Sequence, residues 1–246
     1  MRTLLLDIET SPMVAYVWGI WDQNISPKHI IDSSEVLCWA AKWLGSEKIM
    51  FDSVHKSKPK DMLKRIYDLL NEADAVIHYN GKKFDIPTLN KEFVLHKFKP
   101  PSPYKQIDLL MTMRGRFRFP SNKLDYVSQR LGLGKKTEPE GMELWTKCMA
   151  GNRAAWKKME EYNKQDVLLL ESVYKKVLPW IRNHPNMNLF SHDECCSTCG
   201  SKSLQKRGNS VSSVGTYQRY QCMTCGAWSQ STKTIFPRIK IKGVAA

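Results

Sequence analysis

The stretch Met1–Thr10, MRTLLLDIET, ends a short apolar run in Asp7 and Glu9. Such a run predicts a buried strand, on which Asp7 and Glu9 point the same way, roughly 7 Å apart. Two carboxylates on one face beside a core repel each other and are costly to desolvate, and a divalent cation relieves both penalties. Two solvated acids in a strand-to-loop turn are the commoner meaning of a lone D-x-E, so further acids decide the matter. Asp85 follows the turn signal Asn80-Gly81 at the start of a predicted helix, where an acid also complements the helix dipole. Tyr162 and Asp166 lie four apart on one face of a long predicted helix, and the apolar run Val167–Leu170 implies that Asp166 is partly buried. Three segments thus bring acids to a strand end, a helix start and a half-buried helix face.

A second chemistry sits near the other end. Five of the seven cysteines fall within Cys195–Cys225, and Cys196-x2-Cys199 and Cys222-x2-Cys225 have the spacing of zinc knuckles. Gly200 and Gly226 follow the second cysteine of each pair, where a tight turn needs a permissive residue. A disulfide pair is the alternative. Cys195 competes with Cys196 as a ligand, and the two-residue spacing favours Cys196. Ser203–Arg207 and Thr216–Gln221 are expected to form hairpin strands, with Tyr217, Arg219, Tyr220 and Trp228 either meeting nucleic acid or filling a small core. Tyr220 is expected in the core.

Between these regions, Arg114, Arg116 and Arg118 alternate with Gly115, Phe117 and Phe119. The pattern suits a single nucleic-acid strand, with cations on phosphates and rings under bases. A solvated edge strand with its phenylalanines in the core fits equally well. Lys82, Lys83, Lys135 and Lys136 either extend a phosphate track or are solvated loop lysines. Asn80 is either a contact for a terminal nucleotide or a turn residue, and His78 is expected to be a structural strand residue.

The elements that must hold these residues are readable from periodicity and turn signals. Strands are expected at Val14–Trp21, Val36–Trp43, Lys48–Val54 and Ala73–Tyr79. Helices are expected at Pro59–Asn71, Ile86–Lys97, Lys123–Leu131, Glu143–Met149 and Arg153–Lys176. The 246 residues, 42% hydrophobic and 25% charged, suit one medium soluble domain plus a small one. No apolar stretch is long enough to span a bilayer and no signal peptide is present, so a cytoplasmic protein is expected. Residues 1–188 hold 30 Lys and Arg against 22 Asp and Glu, and residues 189–246 hold 8 against 2. The net charge of +14 is therefore shared by both parts and suggests a polyanion partner.

The acid motifs resemble the DEDD superfamily of 3′–5′ exonucleases, in the branch with a tyrosine in the third motif (DEDDy). The sequence is most similar to the proofreading domains of family-B DNA polymerases and to stand-alone phage and bacterial relatives. Asp7-Ile8-Glu9-Thr10, Tyr79-Asn80 through Phe84-Asp85, and Tyr162-x-x-x-Asp166 carry the resemblance, over about residues 1–180. Lys123–Val127 through Leu131–Lys136 also resembles the segment such enzymes place between the second and third motifs. The resemblance implies an α/β, ribonuclease H-like mixed sheet flanked by helices. It implies two Mg²⁺ or Mn²⁺ ions held by Asp7, Glu9, Asp85 and Asp166, and metal-assisted phosphodiester hydrolysis with Tyr162 orienting the attacking water. Substrate contacts are expected from Asn80, Arg114, Arg116, Phe117, Lys135 and Lys136.

The expected organisation is an exonuclease domain over 1–183, a linker over 184–190, and a zinc ribbon over 191–246 with one structural Zn²⁺ on Cys196, Cys199, Cys222 and Cys225. Single-stranded DNA is the favoured partner. A replication or recombination protein bound through the ribbon is a further one. A structure-specific endonuclease on the same fold and a non-catalytic nucleic-acid-binding protein are the rival functions.

Overall fold

The segment TLLLDIET forms the strand β1 (Thr3–Thr10), the middle of a five-stranded sheet. The protein is described as a computed structural model covering residues 1–134 and 141–236. The elements after β1 are β2 (Val14–Ala15), β3 (Ile30–Asp32), β4 (Val36–Trp43), β5 (Ile49–Ser53), α1 (Pro59–Glu72) and β6 (Ala75–His78). They continue with α2 (Asp85–Leu95), β7 (Lys105–Asp108), α3 (Leu109–Arg116), α4 (Leu124–Arg130), α5 (Met142–Met149) and α6 (Arg153–Val177). The sheet runs β5-β4-β1-β6-β7, antiparallel on the β4 side of β1 and parallel on the β6 side. The parallel pairs are joined through α1 and α2, as crossovers require. This is the mixed α/β sheet flanked by helices that the resemblance implies.

Alternation on β1 sorts its side chains. Leu4, Leu6 and Ile8 enter a core with Met62, Leu63, Ile66 and Leu70 of α1 and Ile86, Leu89 and Phe93 of α2. Leu5, Asp7 and Glu9 point to the other face, opposite Lys42, Ala40 and Cys38 of β4. On that face Lys42 and Glu171 of α6 form an ion pair, both side chains buried. Nearer the start of α6, Trp156, Met159 and Tyr162 pack against Cys38 with Leu144 and Cys148 of α5.

Local expectations fail at two segments of this unit. The segment predicted as a strand over Val14–Trp21 is a strand only at Val14–Ala15, paired with β3. Tyr16, Trp18, Ile20 and Trp21 are exposed, Trp18 by 97%. Aromatic and β-branched residues mark a strand only where a pleated surface is half covered, and nothing among the described residues covers these. The Arg/Phe strip is not extended either, because α3 carries the chain through Arg116. Asp108 caps that helix, its carboxylate accepting from the N–H groups of Leu110 and Met111. A helical turn of about 100° per residue sends Arg114 and Arg116 to opposite sides, and the chain becomes extended at Phe117.

The chain divides into two compact units, Arg2–Tyr174 and Lys175–Ala246. The second contains a three-stranded sheet in the order β10-β9-β8, formed by β8 (Leu204–Ser212), β9 (Gly215–Cys222) and β10 (Trp228–Thr234). The hairpin is longer than expected and gains a third strand. Its small core is Cys196, Cys222 and Ala227, backed by Cys199, Leu204 and Cys225. Tyr220, expected in that core, is half-buried outside it. The cysteines and their neighbours fill the space themselves.

Candidate active site

Carboxylate oxygens of Asp7, Glu9 and Asp166 lie within 4.8 Å of one another. The sheet and one helix produce this. Asp7 and Glu9 share a face of β1, and α6 crosses that face with Asp166 buried on its inner side. Three like charges in this space are mutually destabilising, and the oxygen-only donor set suits a hard divalent cation. The residues therefore fit the metal that the resemblance implies. The same crowding, after burial itself, pushes the Cys38 thiol pKa well up through the charges of Glu9 and Asp7.

Asp85 stands beside this cluster and is not part of it. As the first residue of α2 it is buried, and its Oδ1 accepts from the N–H of Ile8, between the two β1 acids, at 3.2 Å. Burial raises its pKa to about 7, with the negative charge of Asp108 adding to the rise and the backbone N–H bonds opposing it. Tyr162 is nearly buried, its ring edge-on to Trp145 with centroids 6.0 Å apart.

The turn that delivers Asp85 is built on Asp108. Its carboxylate accepts from the N–H of Asn80 at 3.0 Å and of Lys82 at 3.3 Å. Asn80 takes the left-handed φ of 70° that a turn residue adopts. Gly81 is required by close approach, since a Cβ there would stand 2.4 Å from Cγ of the buried His78. His78 lies 3.6 Å from Asp108 and is wholly buried, which lowers its pKa and keeps it neutral, as a structural strand residue should be. In the sequence Asp108 is only a single acid within Ile107-Asp108-Leu109-Leu110. Asn163 was visible only as the residue after Tyr162, yet its Nδ2 donates to Asp7 Oδ2 at 2.7 Å.

Of the expected substrate contacts, Arg114 lines an open groove of ≈ 490 Å³ with Tyr79, Leu110, Asn122, Lys123, Leu124 and Asp125. The Tyr79 hydroxyl donates to the Asn122 carbonyl at 2.7 Å, closing one side. Arg116 ends α3, and Phe117 follows with its ring centroid 5.6 Å from that of Phe119. Lys135 and Lys136 lie outside the described residues.

In the second unit, one sulfur from each of Cys196, Cys199, Cys222 and Cys225 falls within 4.8 Å of the others. Cys196 and Cys225 are 3.7 Å apart and Cys199 and Cys222 are 3.6 Å apart. Disulfide sulfurs would be about 2.05 Å apart, whereas the edge of a tetrahedron with metal–sulfur bonds of about 2.3 Å is ~3.8 Å. The four thiols thus have the spacing of a tetrahedral site. The two knuckles repeat one pattern: Gly200 donates to the Cys196 carbonyl and Gly226 to that of Cys222, both at 2.9 Å, with φ of 77° and 79°. Burial opposes ionisation of Cys222, but the N–H groups of Cys225 and Thr224 bring its pKa down to about 6. Cys195 is buried outside the cluster, its N–H donating to Asn188 Oδ1 at 2.8 Å.

Among solved structures, the chain is similar to the family B DNA polymerase from the hyperthermophilic archaeon Pyrobaculum calidifontis, with 18% identity and a TM-score of 0.51. The match covers 72% of this chain and 24% of the polymerase, so the chain spans about a quarter of that protein's length. No curated protein matches it. Over residues 4–178, which hold the sheet, the turn at Asp85 and the acids of α6, the sequence matches the RNase_H_2 model, and the chain belongs to the RNase_H superfamily.

Proposed function

We propose that the protein is a metal-dependent 3′–5′ exonuclease of the DEDDy type acting on single-stranded DNA, with a zinc-holding C-terminal module. The observation that carries this is the meeting of Asp7, Glu9 and Asp166 on one face of a nuclease-fold sheet. Asp7, Glu9, Asp85 and Asp166 would hold two Mg²⁺ or Mn²⁺ ions, which supply an acidified water and positive charge to offset that of the phosphodiester. Tyr162, held against Trp145, offers its hydroxyl to orient the attacking water. Arg114 and Lys123 supply cations to phosphates along the groove beside the Asn80 turn, while Arg116 and Phe117 extend the contact surface. Cys196, Cys199, Cys222 and Cys225 would hold one Zn²⁺, and their module grips nucleic acid or a replication or recombination protein.

The test is incubation with end-labelled linear and circular single-stranded DNA and with RNA, with Mn²⁺ or EDTA. Mononucleotides released from the 3′ end only with metal are expected. Asp7→Ala and Asp166→Ala should each remove nearly all activity, and Tyr162→Phe should be milder because the cations still activate water. Full activity in EDTA or in either alanine variant sinks the proposal, and cutting of the circle makes the enzyme an endonuclease.

A further inference from the structure

Asp7 is braced by a side chain outside the acid set. Asn163 lies on α6 between Tyr162 and Asp166 and is completely buried. Its Nδ2 donates to Asp7 Oδ2 at 2.7 Å, and its Oδ1 faces Cys38 Sγ at 3.9 Å, within reach of the thiol proton. Cys38 is itself wholly buried and stands opposite Glu9 in β4, on the same sheet face as both β1 acids. The two contacts fix the amide's orientation, because a flip would set its carbonyl against a carboxylate.

We propose that Asn163 is a positioning residue that fixes the plane and direction of the Asp7 carboxylate before a cation arrives, with Cys38 holding the amide from behind. The inference rests on reading the acid cluster as a metal site. The neutrality of the donor matters. A lysine or arginine here would cancel the charge that attracts a divalent ion, whereas an amide orients the carboxylate and leaves its charge intact. Asp7 is only partly buried, and the brace reduces the rotamer freedom that binding must otherwise freeze out. Hydrogen-bonded partners behind ligating groups act on metal affinity in this way, and losing one costs about 10- to 100-fold.

The experiment titrates Mn²⁺ into the zinc-loaded full-length protein without substrate, following free Mn²⁺ by electron paramagnetic resonance. Asn163→Leu keeps the volume and removes both polar contacts, and is expected to weaken Mn²⁺ binding about tenfold or more. Circular dichroism melting in metal-free buffer reports the fold separately. Unchanged Mn²⁺ affinity with only a lowered melting temperature would make Asn163 a structural residue and overturn the proposal. Cys38→Val, which frees the back of the amide while leaving Asn163 in place, is expected to weaken Mn²⁺ by less. If Asn163→Leu does not fold, unchanged affinity in Cys38→Val overturns the proposal in its place. Mn²⁺ binding by the unsubstituted protein that Asp166→Ala does not disturb would defeat the metal reading itself, which keeps the two failures distinct.

Discussion

Asp85 differs from the two acids of β1 in what surrounds it. Asp7 and Glu9 are partly solvated, whereas Asp85 is buried against β1 and its pKa is raised to about 7. Unfolded, the same carboxyl titrates at about 3.9. Between those values the folded protein holds a proton that the unfolded chain has released, so stability is greatest at low pH and falls as pH rises to about 7. Without divalent metal, the melting temperature should therefore fall between about pH 4 and about pH 7 and level off above it. Asp85→Asn keeps the acceptor for the Ile8 N–H, should flatten that slope, and should melt above the unsubstituted protein at the alkaline end. A slope that survives in Asp85→Asn would assign the effect to another group. At this scale the acids that meet, Asp7, Glu9 and Asp166, were readable from the sequence because their order and spacing resemble those of a known family. Asn163 and Asp108 were not, since each acts on a group that only folding brings near. Asn163 and Asp7 are 156 positions apart, and no local pattern reports such a pair.

Among the elements, α6 bears most on the site. It reaches the sheet through Asn163 and Asp7 near its middle and through the buried pair Lys42 and Glu171 about two turns later. Removing one member of such a pair leaves a buried charge uncompensated, so Glu171→Ala should cost about 3–5 kcal/mol, measured by urea unfolding. Lys42→Met with Glu171→Leu removes both charges together and should cost far less. Equal losses in the single and double variants would show that packing, not the stranded charge, sets the cost. The helices α1, α2 and α6 were readable because each buries one face against the sheet, and β4 was readable from its β-branched and aromatic residues. The strand predicted at Val14–Trp21 and the strip at Arg114–Phe119 failed for another reason. Residue type there fitted an extended chain, but strand formation depends on a neighbour, and the cap at Asp108 stabilises helix α3 instead.

At the scale of the whole molecule, the positive charge is carried by both parts, with 8 basic against 2 acidic residues after residue 188. Four thiolates and one Zn²⁺ would lower that excess by about two charges and leave the module basic. Phosphate contacts from such a surface weaken steeply with salt and are largely blind to base sequence. Ending the chain at Met187 should therefore leave a metal-dependent nuclease with weaker DNA binding and a shallower salt dependence, compared with the full chain on one oligonucleotide. Unchanged affinity would make the module a site for protein, and loss of turnover at saturating DNA would make it part of the active site. The exposed ribbon that begins at β2 bears on any such salt series. Trp18, Ile20 and Trp21 are more than 80% exposed, an adhesive surface on a molecule whose copies otherwise repel one another through a charge of +14. Salt shortens that repulsion to about 8 Å at physiological strength and does not weaken apolar attraction. Colloidal stability and any nucleic-acid affinity should therefore decline along the same axis, one through the tryptophans and the other through the lysines and arginines.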